Sequence, residues 1–414
     1  MDVAAAHPGR PLDGVRVLDF TRVLSGPHCT RMLCDLGAEV IKVEPPDGDM
    51  TRYATPRKNG MSGYFAQQNS GKRNISLDMS RPEALDLLLQ LADRCDVLVE
   101  NFRPGVMDRM GLGWETVSAR NPRIVYASIS GYGQTGPWVR RRAYAPVVGA
   151  ESGFTKAQGD ARGGQYANDP HSNADVYTGM ECAAGILAAL YQRERTGLGE
   201  RIDVSMAQTM LYVNEHVNDH LWDGTVDAGW IRSFSPGDYP VLRAANGQTV
   251  IVSGHPAERG TFAKYMGAIG RPDVVDDPRF ADVAARMERL GEIVELLREW
   301  AVTVPDAESI EAAFAEQGLA TGALRSVREI ADTEWAEVRE AIASVDDRSG
   351  GRIRIPNSPW RFEHGEDSRV DGPPRFRGED NHTVLADLLG LDEDALAALD
   401  ASGVLSSRIP STAS

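Results

Sequence analysis

Between Val15 and Ser205 the chain alternates short apolar runs with helical patterns, and this alternation restricts the fold more than any single motif. The runs Val15–Phe20, Glu39–Glu44, Asn74–Met79, Val97–Glu100, Ile124–Ile129 and Arg201–Ser205 are strand-length and rich in Val, Ile and Leu. Helical patterns fall between them. One runs from about Pro27 to Leu36 and stops at Gly37. Another, Pro82–Arg94, carries Ala84, Leu87, Leu88 and Leu91 on one face. A third, Val176–Arg195, carries Val176, Met180, Ala183, Leu187, Leu190 and Tyr191, and ends at Gly197 and Gly199. Ala207–Leu221 reads as a further helix. Strands alternating with helices predict an α/β fold with a parallel sheet covered on both faces.

Two stretches interrupt the rhythm. Residues 131–174 are rich in Gly, Arg, Asn and Asp without periodicity and read as a long loop, which a compact domain keeps mainly for function. At about residue 223 the composition shifts, and 223–240 reads as a linker. A hairpin follows, Tyr239–Leu242 and Thr249–Ser253, around Asn246-Gly247. Helical stretches continue to about Glu340. The expected organisation is a large domain over 11–222, a small α+β domain over 241–340, a second linker over 341–376 with Arg348–Arg375 loop-like, and a return to the large domain over 377–405. Asn381–Leu389 and Glu393–Leu399 are expected as short helices, and Ser406–Ser414 as a frayed tail.

With 414 residues, the chain has room for two or three domains of roughly 150 residues each. Its 60 acidic against 44 basic residues leave a formal charge of −16, so no global basic field for nucleic acid exists. Cys29, Cys34, Cys95 and Cys182 form no CxxC or zinc spacing and are expected as reduced, buried thiols of a cytoplasmic protein. The first ten residues have no apolar core of a signal peptide, and no apolar run approaches the roughly 18 residues of a membrane span.

Four features could carry chemistry. Gly131-Tyr-Gly133-Gln-Thr-Gly136 matches G-x-G-x-x-G after a strand, but Pro137 and the run Arg140–Arg142 follow where a helix should start, so a loop is the stronger reading. Arg140–Arg142, with Arg103 and Arg109, offer guanidinium groups to phosphates or form a solvated charged loop. His216 and His220 stand four residues apart, but the HExxH order is absent and no third ligand is evident, so no metal site is expected. Asp175 stands before the helix at Val176. Spacing alone suits an N-cap, while the aperiodic stretch before it would also let the carboxylate face a cleft as a nucleophile.

Longer segments decide between these alternatives. Pro11–Gly14 with VRVLDFTRVLSGP and LGAEVIKVEPP, then NSGKRNISLDM at 69–79, DVLVENFRPGVMDRMGLG at 96–113, NPRIVYASISGYGQTGP at 121–137, TGMECAAGILAALYQRERTGLGERIDVSM at 178–206 and RGEDNHTVLADLLGL at 377–391 occur in order. Together they resemble the class III (CaiB/BaiF) CoA-transferases, a family that includes formyl-CoA and carnitine-CoA transferases and α-methylacyl-CoA racemase. The resemblance covers most of 11–391 and is weaker near 223–240 and 340–376.

It implies a Rossmann-like large domain, a small domain and two linkers, assembled as an interlocked homodimer. CoA and acyl-CoA are implied as substrates rather than as a tightly bound cofactor, with carboxylic acids as partners. Asp175 takes the position of the catalytic aspartate. CoA contacts fall on Val23, Leu24, Leu77, Asn101, Phe102 and Arg109, with Arg142 and Tyr144 near the thioester. Tyr144 stands where a racemase would need histidine, and a phenol is a poor base at neutral pH. Transfer through an aspartyl anhydride and aspartyl-CoA is therefore preferred. Racemisation and a CoA-binding paralogue without activity are the alternatives. No glycine-rich lid is evident near 228–240, which argues against the oxalate-using members.

Overall fold

A computed structural model describes residues 9–224 and 236–410. The chain divides into two compact units, Met1–Glu215 with Glu334–Ser414, and His216–Thr333.

The first unit is built on β1 (Arg16–Asp19), α1 (Ser25–Asp35), β2 (Glu39–Glu44), β3 (Arg73–Ser76), α2 (Pro82–Ala92), β4 (Val97–Glu100), β5 (Val125–Ser130), α3 (Ala145–Glu151), α4 (Phe154–Ala161), α5 (Asn173–Thr196), β6 (Glu200–Ser205), α6 (Met206–Tyr212) and α7 (Asn381–Leu389). The six strands form one parallel sheet in the order β3-β2-β1-β4-β5-β6. Successive strand residues point to opposite faces, so apolar neighbours separate into two cores. Leu18, Ile41, Ile75, Leu98 and Tyr126 join α2 on one face. Val17, Val40, Val97, Val99, Val125 and Ala127 join α1 and α5 on the other. Burial on both faces explains why the inner strands β2, β1, β4 and β5 read as largely apolar runs rather than alternating ones, whereas the edge strand β6 stays partly exposed.

The order in which successive strands are added reverses between β1 and β4. In an open parallel sheet this switch leaves a crevice beyond the carboxyl ends of the strands, because the connections on either side turn away from it. β3 lies at an edge, where unpaired backbone groups would be exposed. C-terminal residues cover it. The Asn74 N–H donates to Asp380 at 2.8 Å, the Ser76 N–H donates to Asn381 at 2.8 Å, and Leu77 bridges Leu405.

Several expectations change at this level. Residues 131–174 contain α3 and α4 rather than one long loop, both too short for a periodic stripe to emerge. Ala207–Leu221 is two helices, α6 and Val217–Leu221, separated at Val213–His216. The loop-like stretch Arg348–Arg375 holds the strand Arg352–Pro356, which pairs antiparallel with Ile342–Asp346. α5 starts at Asn173, so Asp175 lies inside its first turn rather than capping it, and Ser172 occupies the cap. In this first turn Ala174 is buried with Ala145, Val148, Met206 and Met210, a cluster separate from the two sheet cores.

The apolar face of α5 is also divided. Cys182, Ala183, Ile186, Ala189 and Leu190 are buried, whereas Met180, Leu187 and Tyr191 are 47%, 37% and 70% exposed. Only the first set meets the sheet.

The second unit has its own core, with Leu242, Val250, Val252, Phe262, Tyr265, Leu297, Ile310 and Phe314. The expected hairpin is present as Val241–Arg243 against Thr249–Val252, with Gly247 at φ +89° in its turn, and Thr321–Ala323 adds a third strand.

Candidate active site

The ends of β1, β4 and β5 open into a cleft of about 480 Å³. Val23, Ser25, Asn101, Phe102, Ser130, Gly131, Arg142, Tyr144 and Asp175 line it, with Arg22, Arg103 and Arg141 adding charge. It therefore lies at the switch point of the sheet, where strand direction predicts a ligand crevice.

The turn after β1 is held from below. Asp19, fully buried at the end of β1, accepts from the Thr21 N–H at 2.9 Å and from the Thr30 hydroxyl at 2.7 Å, and pairs with Lys72 at 3.2 Å. Val23 then adopts φ +68°, a left-handed conformation that a β-branched residue enters only under constraint. Part of the constraint is visible. Asp49 accepts the Val23 N–H at 3.1 Å and the Thr51 N–H at 3.0 Å, and pairs with the buried Lys42 at 3.3 Å.

Asn101, just past β4, closes the other side. Its side-chain oxygen accepts the Arg22 N–H at 2.9 Å. Its amide donates to the Arg22 carbonyl at 2.8 Å and to the Ser25 hydroxyl at 3.2 Å. Glu100 accepts the Phe102 N–H at 2.8 Å, which fixes the same turn, and burial pushes the Glu100 carboxyl up to about 7.

Ser25 in turn meets Asp175. Burial pushes the Asp175 carboxyl up to about 6, and hydrogen bonds from the Ser25 hydroxyl and backbone N–H pull in the other direction. The Asp175 carboxylate also contributes, after burial, to raising the nearby Tyr64 phenol.

Close helix packing makes this meeting possible. Gly179 lies one turn beyond Asp175, and a Cβ there would stand 2.6 Å from the Ser25 carbonyl oxygen and 3.3 Å from the Cys29 nitrogen. A second close approach sets the opposite wall. A Cβ at Gly131 would fall 2.1 Å from the Ala143 side chain, so glycine lets the β5 exit touch the segment carrying Arg142 and Tyr144.

Six of the nine sequence-derived site residues thus share one cleft: Val23, Asn101, Phe102, Arg142, Tyr144 and Asp175. Three lie outside its lining. Leu24 is buried at the N-cap of α1, Leu77 is buried in the core, and Arg109 is exposed at the end of the short helix Val106–Arg109.

The run Arg140–Arg142 divides by role. Both Arg141 and Arg142 line the cleft, but Arg141 also pairs with Glu151 and lies 4.5 Å over the Trp138 ring, so it braces its own loop. The glycine motif at Gly131 opens no helix, as expected. Two of its N–H groups are engaged within the protein, Gly133 donating to Ser130 and Gln134 to Asp203. The side chain of His220 lies outside the described residues. Ser25 and Asp49 went unnoticed in the sequence because Ser and Asp beside turns ordinarily report only local capping.

A cleft at the switch point, with a carboxylate at one wall and guanidinium groups around it, suits an anionic ligand attached to an electrophile. The model of CoA-transferase family III matches residues 12–381. The chain belongs to this family. It is 34% identical to the formyl-CoA:oxalate CoA-transferase of Streptomyces coelicolor over 96% of this chain and 99% of that protein. It is 31% identical to the succinyl-CoA–D-citramalate CoA-transferase of Chloroflexus aurantiacus over 97% and 100%. Among solved structures, a CaiB/BaiF family protein from Brucella suis aligns with a TM-score of 0.78 at 29% identity, covering 92% of this chain and all of that one. The family III chain described here therefore shares both sequence and mixed α/β architecture with these relatives over nearly its whole length.

Proposed function

We propose that this protein transfers CoA from an acyl-CoA to a free carboxylic acid, with Asp175 as the covalent relay. The observation that carries the reading is the placement of the Asp175 carboxylate in the switch-point cleft, which Ser25 also lines.

A side-chain oxygen of Asp175 attacks the thioester carbonyl. The C–S bond breaks, CoA leaves as thiolate, and a mixed anhydride remains on the enzyme. The thiolate attacks the aspartyl carbonyl, releasing the donor acid and forming aspartyl-CoA. An acceptor carboxylate attacks that thioester and expels CoA thiolate again. The thiolate finally attacks the acceptor's carbonyl in the new anhydride, giving the product thioester and restoring the carboxylate of Asp175. Each step exchanges one activated acyl bond for another, so water must be kept from the anhydride. The N–H and hydroxyl of Ser25 are suited to steady the carboxylate as it returns.

Val23, Asn101 and Phe102 are proposed to seat the CoA arm, and Arg142 and Tyr144 to border the thioester. Leu24, Leu77 and Arg109 are proposed to contact CoA from outside the described lining. No histidine is among the described residues that line the cleft, which favours transfer over proton exchange. We also propose the interlocked homodimer. The exposed stripe Met180, Ala184, Leu187 and Tyr191 on α5 supports it, since an apolar helical face is ordinarily covered.

Incubating the protein with an acyl-CoA and measuring intact mass tests the relay. A covalent aspartyl adduct, absent in Asp175→Asn, is the expected result. A variant that still turns over at the wild-type rate would sink it, and exchange of the α-proton with deuterated solvent without any adduct would point to racemisation instead. Steady-state rates with oxalate, succinate and glutarate as acceptors then identify the acid.

A further inference from the structure

A second recess in the first unit, about 80 Å³, is lined by Asp47, Arg52, Tyr53, Arg57, Gly60, Phe376, Arg377, Arg408 and Pro410. Four arginines in so small a space are unusual in a chain of net charge −16. Arg52 is neutralised by the buried Glu44, with Nε to Oε2 at 2.8 Å. The other three have no carboxylate partner among the described residues. Arg57 is exposed, its guanidinium 5.9 Å from the Tyr53 ring centre. Arg377 donates to the hydroxyls of Ser76 and Ser406, which carry no compensating charge. Arg408 reaches only the Tyr53 hydroxyl, at 3.5 Å.

The backbone accentuates the imbalance. Arg377 and Arg408 are paired directly across an antiparallel bridge, the Arg408 N–H donating to the Arg377 carbonyl at 2.9 Å. Like charges placed opposite each other in this way are destabilising. Burial, Arg52 and Arg408 hold Arg377 below the usual guanidinium range, against the opposing pull of Glu44 and Tyr53. Asp47 is on the rim and makes no ion pair with any of the three. Its main-chain oxygen, not its carboxylate, accepts from Tyr53. The fold thus brings three like charges together, none of them in an ion pair among the described residues, with Glu44 acting on Arg377 only from a distance.

We infer that Arg57, Arg377 and Arg408 form a binding site for a phosphate group. Guanidinium forks match tetrahedral oxyanions, and an anion seated among them relieves the repulsion of the opposed pair. Two sources share this chemistry. The single turn Met50–Tyr53 has Met50 on the switch-point cleft and Tyr53 on this recess, so a phosphate carried on a long substrate lying in the cleft could extend into it. The adenosine 3′-phosphate of CoA is such a group, and that source rests on the proposed function. The other source is a separate phosphorylated small molecule, which needs no transferase reading.

The test titrates the full-length protein with inorganic phosphate and pyrophosphate by calorimetry. It also measures KM for one acyl-CoA and for its 3′-dephospho analogue. Wild type is compared with Arg57→Gln/Arg408→Gln and with Arg57→Lys/Arg408→Lys. Both positions are exposed, and Arg377 is left in place because it ties Ser76 to Ser406. Phosphate binding is expected to weaken about tenfold in the Gln pair and to recover partly in the Lys pair, as loss of charge-assisted hydrogen bonds requires. A KM increase confined to the 3′-phosphorylated substrate supports the site and identifies CoA as the source. Weaker phosphate binding with both KM values unchanged supports the site and identifies a separate anion. Phosphate binding equally tight in the Gln pair and wild type overturns the inference, as does a wild type that binds neither probe at millimolar concentration while both KM values stay constant across the variants. Because binding is read without turnover, Asp175→Asn must give the same phosphate titration, so failure of the transfer mechanism and failure of this site are separable.

Discussion

Asp175 is subject to opposing influences. The first turn of α5 favours a carboxylate through the exposed N–H groups at its start, an effect of about 0.3–1 kcal/mol at an accessible site. Burial acts more strongly and raises the carboxyl to about 6 in spite of Ser25. Two outcomes follow from the sign. The nucleophile is the ionised form, so kcat/KM should fall as pH drops through about 6, and a pH–rate profile checks it. Because the folded value lies above the ordinary carboxylate value, ionised Asp175 costs stability at high pH and nothing once both states are protonated. Asp175→Asn should therefore melt at or above the wild-type temperature at pH 8, with the difference vanishing near pH 3, while the covalent adduct is lost. Ser25→Ala removes a donor to the carboxylate, so the acid limb of its pH–rate profile should move upward. An unmoved limb would show that the hydroxyl does not reach Asp175 in solution.

At the scale of elements, the cleft depends on how tightly α5 meets α1. Gly179 permits the contact, and Gly179→Ala places a methyl group against the Ser25 carbonyl and the Cys29 nitrogen, backbone atoms that cannot rotate away. Overpacking of this kind costs about 1–3 kcal/mol. Thermal denaturation should show that loss, and kcat should fall as well, because the displacement starts one turn from Asp175. The turn after β1 makes a parallel case. Asp49→Ala frees the Val23 N–H and leaves Lys42 buried without its nearest carboxylate, and breaking a buried pair costs about 3–5 kcal/mol. Urea denaturation measures that loss. These couplings were not legible in the sequence. Gly179 reads as one small residue in a helix, and Val23, marked only by the family resemblance, carries no sign of a left-handed backbone. Close approach and a left-handed backbone are properties of two elements meeting, not of one. The expected apolar stripe on α5 failed in part for the same reason. A helix 24 residues long with apolar residues on two faces has no internal sign of which face the sheet will cover.

At the scale of the whole molecule, the outward stripe of Met180, Leu187 and Tyr191 bears on assembly. In the proposed dimer, Leu187→Glu/Tyr191→Glu should shift the protein toward monomer in sedimentation velocity. An unchanged dimer would remove this face from the interface.

The sequence alone determined the strand–helix alternation, the parallel sheet and the ordered segments that mark the family, because apolar periodicity and long contiguous motifs are local in the chain. Tertiary structure alone decided that Asp175 lies within a helical turn beside Ser25, that Asn101 clamps the loop opposite it, and that Arg57, Arg377 and Arg408 share one recess. The physical reason is distance along the chain. Ser25 and Asp175 are separated by most of a domain, and Arg57 and Arg408 by most of the molecule. Their fields and hydrogen bonds exist only after the sheet has set its order.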